Sequence, residues 1–405
     1  MSTLSTIQLA PRPFSKLRQP VLRIAMVASS LHRAGAEKQF VYMAGAMHQA
    51  RVDVRVFYCG TGGAYERTLR AMGVRVCETN HARQPFRILW ALVRALREFR
   101  PHIVMASQFS EIIHAGIPGR MFGAMTIAGV RSDGFYEMNR ARFRRALMRR
   151  LPHALLANSY NAQKNLVFLG VSSEKIKVLQ NVIDLADFDR QSAQPVRLPS
   201  RPGRILVAAV GRLHTEKCFD RLVDAVALVP GSIPPVTVLI VGRDQGAKAS
   251  LERKAKALGL PSDRLVFMGE SDNVPAILKR CHMLVLSSDY EGFPNAILEA
   301  MAARLPVITT PAGDSPRVVQ NGRTGFVVGF DDIQGMAGRI AELASSTDLR
   351  QALGAAGRRS VENQYDIGSL SDRLFTVLRE LADQEERPAL ISILDRCHPA
   401  STLQL

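Results

Sequence analysis

Glu291 and Glu299 stand eight positions apart in the stretch SSDYEGFPNAILEA, Ser287 to Ala300. An apolar strand pattern, MLVLSS, runs into a Gly/Pro turn and then into a helical pattern. Pro294 suits the first helical turn. At 1.5 Å per residue, Glu299 lies about 7.5 Å along the axis from it. Two carboxylates thereby flank a helix N-terminus whose free N–H groups and dipole attract an anion. One carboxylate can reach sugar hydroxyls near the loop and the other a ribose deeper down. An arbitrary pair at this spacing is usually two solvated glutamates, so the surroundings decide.

A pair of cations, Arg212 and Lys217, lies in GRLHTEKCFDRLVDA, Gly211 to Ala225, directly after the strand pattern Ile205–Val210. Two cations at a strand end can clamp a diphosphate and offset its charge as it leaves. In isolation they would pass for two surface bases. The five cysteines (Cys59, Cys77, Cys218, Cys281 and Cys397) are scattered and form no C-x-x-C pair. That fits reduced thiols rather than a disulfide framework or a zinc site.

Such groups need a frame that gathers strand ends, and the rest of the chain supplies its pattern. Short β-branched and apolar runs alternate with amphipathic helical stretches throughout. Strands are expected at Arg23–Ala28, Asp53–Tyr58, Val74–Cys77, His102–Ala106, Met125–Val130 and Ala154–Ala157. In the second half they are expected at Ile205–Val210, Val236–Val241, Leu265–Met268, Met283–Leu286, Val307–Thr309 and Gly325–Val328. Helical patterns include Glu37–Gln49, Phe86–Phe99, Phe219–Val229 and Gln245–Leu258. This alternation predicts an α/β protein with parallel sheets covered on both faces.

The expected organisation is a loose tail over residues 1–20, a first doubly wound domain over 21–190 and a proline-rich linker over 191–203. A second such domain follows over 204–368, then a C-terminal helix over 369–388 and a tail over 389–405. Ligands bind such sheets at the carboxyl ends of their strands, so two of them would create a cleft there.

Composition narrows the class. The chain has 405 residues, 47% of them hydrophobic, which excludes a disordered polymer. Its longest uncharged apolar run, Ala225–Gly242, is cut by Pro230, Gly231, Pro234 and Pro235, so no membrane span is expected. No apolar segment of signal-peptide length opens the chain, and a cytoplasmic protein is expected. The formal charge of +17 is one-sided. The first 200 residues hold 29 Lys+Arg against 12 Asp+Glu, and the remainder holds 24 of each. The densest cluster is Arg140, Arg142, Arg144, Arg145, Arg149 and Arg150, interleaved with Phe143, Ala146, Leu147 and Leu151. This basic amphipathic helix fits a solvated surface or an anionic membrane contact. Nucleic acid fits less well, because no reader motif occurs and aromatics are only 6%.

The segment around Glu291 and Glu299 resembles the E-x7-E signature of retaining glycosyltransferases of family 4. Other segments match in order: VASSLHRAGAEKQ near the N-terminus, LLANSYNAQKNL, NVIDLADF (Asn181–Phe188), the Arg212/Lys217 segment, and MAARLPVITT. The resemblance runs from about Arg23 to Val328 and implies the GT-B fold. It implies a UDP- or GDP-sugar donor bound by the second domain and a glycan or lipid-linked acceptor bound by the first, with no metal and no further cofactor. It further implies transfer of a hexosyl group with retention, by front-face attack assisted by the leaving diphosphate.

By the same resemblance, Glu299 holds the donor ribose and Glu291 the sugar hydroxyls. Gly292, Phe293, Pro294 and Asn295 shape the loop beneath the sugar, and Asp272, Asn273 and Val274 pack the base. Gly35 lets the first loop approach the phosphates. Asp187-Phe188-Asp189 satisfies a D-x-D metal pattern, but it lies within the family match and is read as unrelated to metal.

The chain also departs from the pattern. Arg131 stands where the family often has a sugar-contacting His, and His114 is a further candidate contact. Cys218 and Arg304 replace usual glycines, and Arg317 a usual glutamate. Two other classes of function stay open: a different GT-B activity, such as an epimerase or phosphorylase, or a non-catalytic basic binding protein.

Overall fold

The computed structural model describes residues 21–60, 62–79, 84–135, 146, 149–199 and 203–398. The chain divides into two compact units, one of residues up to Gln180 and from Gly368 onward, the other Asn181–Ile367.

The first unit is built on a parallel seven-stranded sheet ordered β3-β2-β1-β4-β5-β6-β7. Its strands are β1 Arg23–Ala28, β2 Asp53–Tyr58, β3 Arg75–Glu78, β4 Ile103–Ala106, β5 Met125–Val130, β6 Ala154–Ala157 and β7 Ile176–Val178. The central strands are continuous apolar runs because helices cover both faces. RIAMVA in β1 and MTIAGV in β5 are buried almost throughout, whereas edge strand β3 is half exposed. The second unit holds a parallel six-stranded sheet ordered β10-β9-β8-β11-β12-β13. Its strands are β8 Ile205–Val210, β9 Val236–Val241, β10 Leu265–Gly269, β11 Met283–Leu286, β12 Val307–Thr309 and β13 Gly325–Val327. The strand order reverses between β1 and β4 in one sheet and between β8 and β11 in the other. Those are the points where a doubly wound sheet leaves a crevice at its carboxyl edge.

The expected strands are all present, and β7 is added to them. Its three residues, Ile-Lys-Val, are too few and too polar to stand out. The domain limits differ more. The boundary falls at Gln180 rather than residue 190, because helix Leu185–Ser192 packs Leu185 and Phe188 into the second unit's core beside Tyr365. Ile183 accepts from Ile367 N at 3.0 Å and donates to Tyr365 O at 2.8 Å, closing that unit on itself. Val196 and Leu198 of the expected linker pack on the same core, so this stretch belongs to the second unit.

The C-terminal helix, Leu370–Gln384, belongs to the first unit. Lys177 Nζ pairs with Glu380 Oε2 at 3.0 Å, and Arg373 donates to Gln180 O at 3.0 Å. A further helix, Pro388–Cys397, occupies much of the expected tail and buries Leu390, Ile393 and Leu394. Among the described residues, no helix is long and apolar enough to cross a membrane.

The expected tail over residues 1–20 lies outside the described residues, as do residues 399–405. Arg140, Arg142, Phe143, Arg144, Arg145 and Leu147 of the basic segment also lie outside them. Arg149 is described and turned inward, donating to Leu169 O.

Candidate active site

In the second unit the loops after β8 and β11 are knitted together. Ser287 Oγ donates to Lys217 O at 2.9 Å, and Asp289 N donates to Glu216 O at 3.0 Å. Arg221 reaches across from helix Phe219–Ala227 to pair with Asp289. This scaffold brings Lys217 Nζ to 2.6 Å from Glu291 Oε1, with the two side chains only 15% and 11% exposed. Ser288 Oγ donates to the same carboxylate oxygen at 2.7 Å. Arg212 is more open and pairs with Glu216 at 2.7 Å. Both expected diphosphate-clamping cations are thus present at one sheet edge, each held by a carboxylate.

The loop from Glu291 into helix Asn295–Ala302 is fixed from below. Phe293 is buried against Tyr365, with ring centroids 5.8 Å apart. Asn295 Oδ1 accepts from Asn181 Nδ2 at 2.9 Å. Pro294 occupies the N-cap rather than the first helical turn. Glu299 is half-buried one turn into the helix. Gly313 explains how closely the neighbouring loop can approach. Its φ is +57°, and a Cβ there would lie 2.4 Å from Glu291 O and 2.7 Å from Gly292 O. Only glycine fits both constraints.

Several candidates have structural partners. Asn273 caps helix Val274–Leu278 by accepting from Ala276 N at 3.0 Å, and its amide donates to Gln194 Oε1 at 2.8 Å. Asp272 beside it is exposed. The two D-x-D carboxylates diverge. Asp187 pairs with Arg190, while Asp189 takes a two-pronged grip from Arg358 at 2.7 and 2.8 Å. Hydrogen bonding from Arg358 holds the Asp189 carboxyl below its usual range. Among the described residues, no group of His, Cys, Asp or Glu side chains is arranged to hold a metal ion. Burial pushes the Cys218 thiol up to about 11, with Asp289 adding to the effect, which leaves it a poor nucleophile.

The first unit carries a separate cluster at the carboxyl ends of β1, β4 and β5. Glu111 is 7% exposed. It accepts from Ser29 N at 2.9 Å and from Gln108 N at 3.1 Å. Burial pushes its carboxyl up to about 7, against hydrogen bonds from Ser29, Gln108 and Ser107. Arg131 follows β5 and donates to Ser107 O at 3.3 Å, and its own carbonyl accepts from Asn158 at 3.2 Å. Burial lowers its guanidinium to about 10, and attraction to Glu111 opposes the shift. His114 is half-buried on helix Ile112–Met121, one turn after Glu111. Gly35 is exposed as the first residue of helix Gly35–Gln49 after β1.

Residues 33–187 match the sequence profile described as Glycosyltransferase Family 4, and residues 190–360 match the one described as Glycosyl transferases group 1. The chain belongs to glycosyltransferase family 4. It is 28% identical over 196 residues to the lipopolysaccharide core biosynthesis glycosyltransferase LpsE of Rhizobium meliloti, covering 48% of this chain and 53% of the relative. It is 32% identical over 192 residues to the GDP-mannose-dependent alpha-(1-6)-phosphatidylinositol monomannoside mannosyltransferase of Mycobacterium tuberculosis, covering 45% and 49%. The chain thus spans about half the length of these curated relatives. Anabaena HepE, solved with UDP and glucose, superposes with a TM-score of 0.74 at 20% identity, over 88% of this chain and 99% of that one. The fold is the GT-B arrangement of two Rossmann-like domains.

Two family 4 departures now have a geometry. Cys218 and Arg304, which stand where the family usually has glycine, have φ of +45° and +62°. Both residues hold the left-handed conformation that glycine tolerates best. The sequence carries little signal for Glu111, because Gln108 is not one of the usual N-cap residues. Gln108 and Glu111 make a reciprocal capping box, three residues apart, directly after a strand.

Proposed function

We propose that this family 4 chain is a retaining, metal-independent hexosyltransferase. It takes the sugar from a UDP- or GDP-sugar and passes it to a glycan or lipid-linked acceptor in cell-surface polysaccharide or glycolipid synthesis. The observation carrying this reading is the Lys217–Glu291 pair at 2.6 Å, where the loops after β8 and β11 meet. A sugar diphosphate brings the two things that this pair and its neighbours recognise. Its anionic diphosphate suits Lys217 and Arg212, and its hydroxyls suit the carboxylate of Glu291. Glu299, one turn into the adjoining helix, takes the ribose. Val274 and Asp272 border the base. The relatives' names fit the reading, with GDP-mannose in one and UDP with glucose in another.

In this reading the barrier falls through electrostatics and positioning. Lys217 and Arg212 stabilise the departing diphosphate, which accepts the acceptor's proton. Glu291 and Glu299 orient the donor and form no nucleophile–acid pair of the glycosidase kind. Arg131 offers a cation to the acceptor side, in the first unit. His114 lies one turn from Glu111 on the acceptor side. The enzyme works in the cytoplasm, peripheral to a membrane.

Thermal-shift screening of the full chain against UDP- and GDP-sugars tests the reading. At least one donor should raise the melting temperature, and Glu299→Ala should abolish that rise while leaving the unliganded melting temperature in place. Nucleoside diphosphate should be released only with acceptor present, which separates transfer from epimerisation. Failure of every donor to stabilise the chain would overturn the reading in favour of a basic binding protein.

A further inference from the structure

Helix Pro85–Phe99 connects β3 to β4 and buries Ile88, Leu92, Leu96 and Phe99 in the first unit's core. Its opposite face is unusual for a solvated helix. Phe86 is 81% exposed and Trp90, the chain's single tryptophan, is 74% exposed. At 100° per residue, Phe86, Trp90, Arg94 and Arg97 fall within an arc of about 80°. Arg87, Arg94, Arg97 and Arg100 are all exposed, and none forms an ion pair with another described residue. Glu98 is the helix's one acidic residue and lies beyond the edge of the arc.

From this we infer that helix Pro85–Phe99 is a docking surface for an anionic lipid bilayer, with Phe86 and Trp90 entering the headgroup region and Arg87, Arg94 and Arg97 binding lipid phosphates. Charge complementarity selects this occupant. A second copy would bring the same arginines against themselves, whereas an anionic leaflet attracts them. Trp and Phe beside arginines suit the interface, where rings lie at headgroup depth and guanidinium stems extend toward water. Topology adds a consequence. All strands of this sheet are parallel, so a helix following β3 begins at the sheet's carboxyl edge. Phe86 and Trp90 therefore lie toward the edge that carries Ser29, Glu111 and Arg131. A docked helix brings that edge to the membrane surface, where a lipid-linked acceptor resides. The docking itself does not rest on the transfer reaction and is measured with no donor present, so either reading can fail alone.

Trp90 reports its own environment. Vesicles of equimolar phosphatidylglycerol and phosphatidylcholine should shift its emission to shorter wavelength. Phosphatidylcholine alone should not, and high salt should reverse the shift. Arg94→Gln/Arg97→Gln, which keeps the reporter, should weaken vesicle partitioning about 10- to 30-fold. Phe86→Ser should weaken it at unchanged melting temperature. Sedimentation with the anionic vesicles without a Trp90 shift would place docking on another surface and overturn the inference. So would no sedimentation at all, or a lipid-free dimer that Phe86→Ser dissociates.

Discussion

The pair between Lys217 and Glu291 allows a quantitative test of the site. At 2.6 Å and an effective dielectric of about 20, two unit charges attract by about 6 kcal/mol, and desolvation of both ions offsets most of this. Lys217→Met would leave a carboxylate nearly nine-tenths buried, supported only by Ser288 at 2.7 Å. Orphaning one member of a fully buried pair costs about 3–5 kcal/mol. With the Ser288 hydroxyl still donating, about 2.5 kcal/mol is expected. For a unit of this size, that lowers its melting temperature by about 5–10 °C. Glu291→Gln should cost somewhat less, and the double variant much less than the sum, with a coupling of about 2 kcal/mol. Denaturant melts of the three variants give the stability cycle. Turnover with the stabilising donor supplies the functional arm, where Lys217→Met should lose about 100- to 1,000-fold if it stabilises the leaving diphosphate. Additivity within about 0.5 kcal/mol would refute the pairing argument. Unchanged turnover in Lys217→Met would reduce the pair to scaffold.

Three further outcomes follow from other parts of the molecule. Glu111 has its carboxyl raised to about 7, above the unfolded value near 4.5, so folding binds a proton between those values and stability falls as pH rises through them. Glu111→Gln should escape that loss of up to about 3 kcal/mol, so its melting temperature relative to the parent should rise from pH 4.5 to 7.5; a pH-independent difference would be the contrary result. Gly313→Ala places a methyl 2.4 Å from Glu291 O at a φ of +57°, and should cut donor affinity at least tenfold in calorimetry while costing about 2–5 kcal/mol in stability, strain and clash together. Asp189→Asn breaks the two-pronged Arg358 contact. Chemical denaturation should show a loss of about 1–3 kcal/mol, and activity should show no new dependence on added divalent cations.

How much of this was legible beforehand depends on how local the cause is. Central strands such as β1, β5, β8 and β9 are bounded within a residue by apolar runs that begin and end sharply, because both faces are covered. β7 was not, since three residues at a sheet edge with a lysine in the middle carry almost no pattern. The unit boundary was misplaced for a different reason. Proline content marks a stretch that is irregular, not one that is free, and Val196 and Leu198 show irregular chain packed on a core. Nor could the sequence have shown that the chain returns to its first unit through helix Leu370–Gln384. That return is set by contacts such as Lys177–Glu380, some 200 positions apart.

The site divides along the same line. Residue types near Glu291 were readable because a strand, a turn and a helix N-terminus dictate one another over fourteen residues. The partners were not, since Lys217 and Glu291 are 74 positions apart and meet only because β8 and β11 are neighbours. Cys218 and Arg304 carry the point further. Each was visible as a missing glycine, and a missing glycine suggests altered backbone. Both positions instead hold the left-handed conformation that glycine tolerates best, at φ of +45° and +62°. The neighbours enforce it: a Cβ at Gly354 would lie 2.0 Å from Arg304 O, so the turn at Arg304 is clasped by the helix passing over it. The strain of a side chain in that region, about 1–2 kcal/mol, is smaller than the cost of moving such packing. Substitution at a glycine therefore reports on local tolerance, and the loop geometry that holds Lys217 against Glu291 is set by the surrounding fold rather than by the residue at the bend.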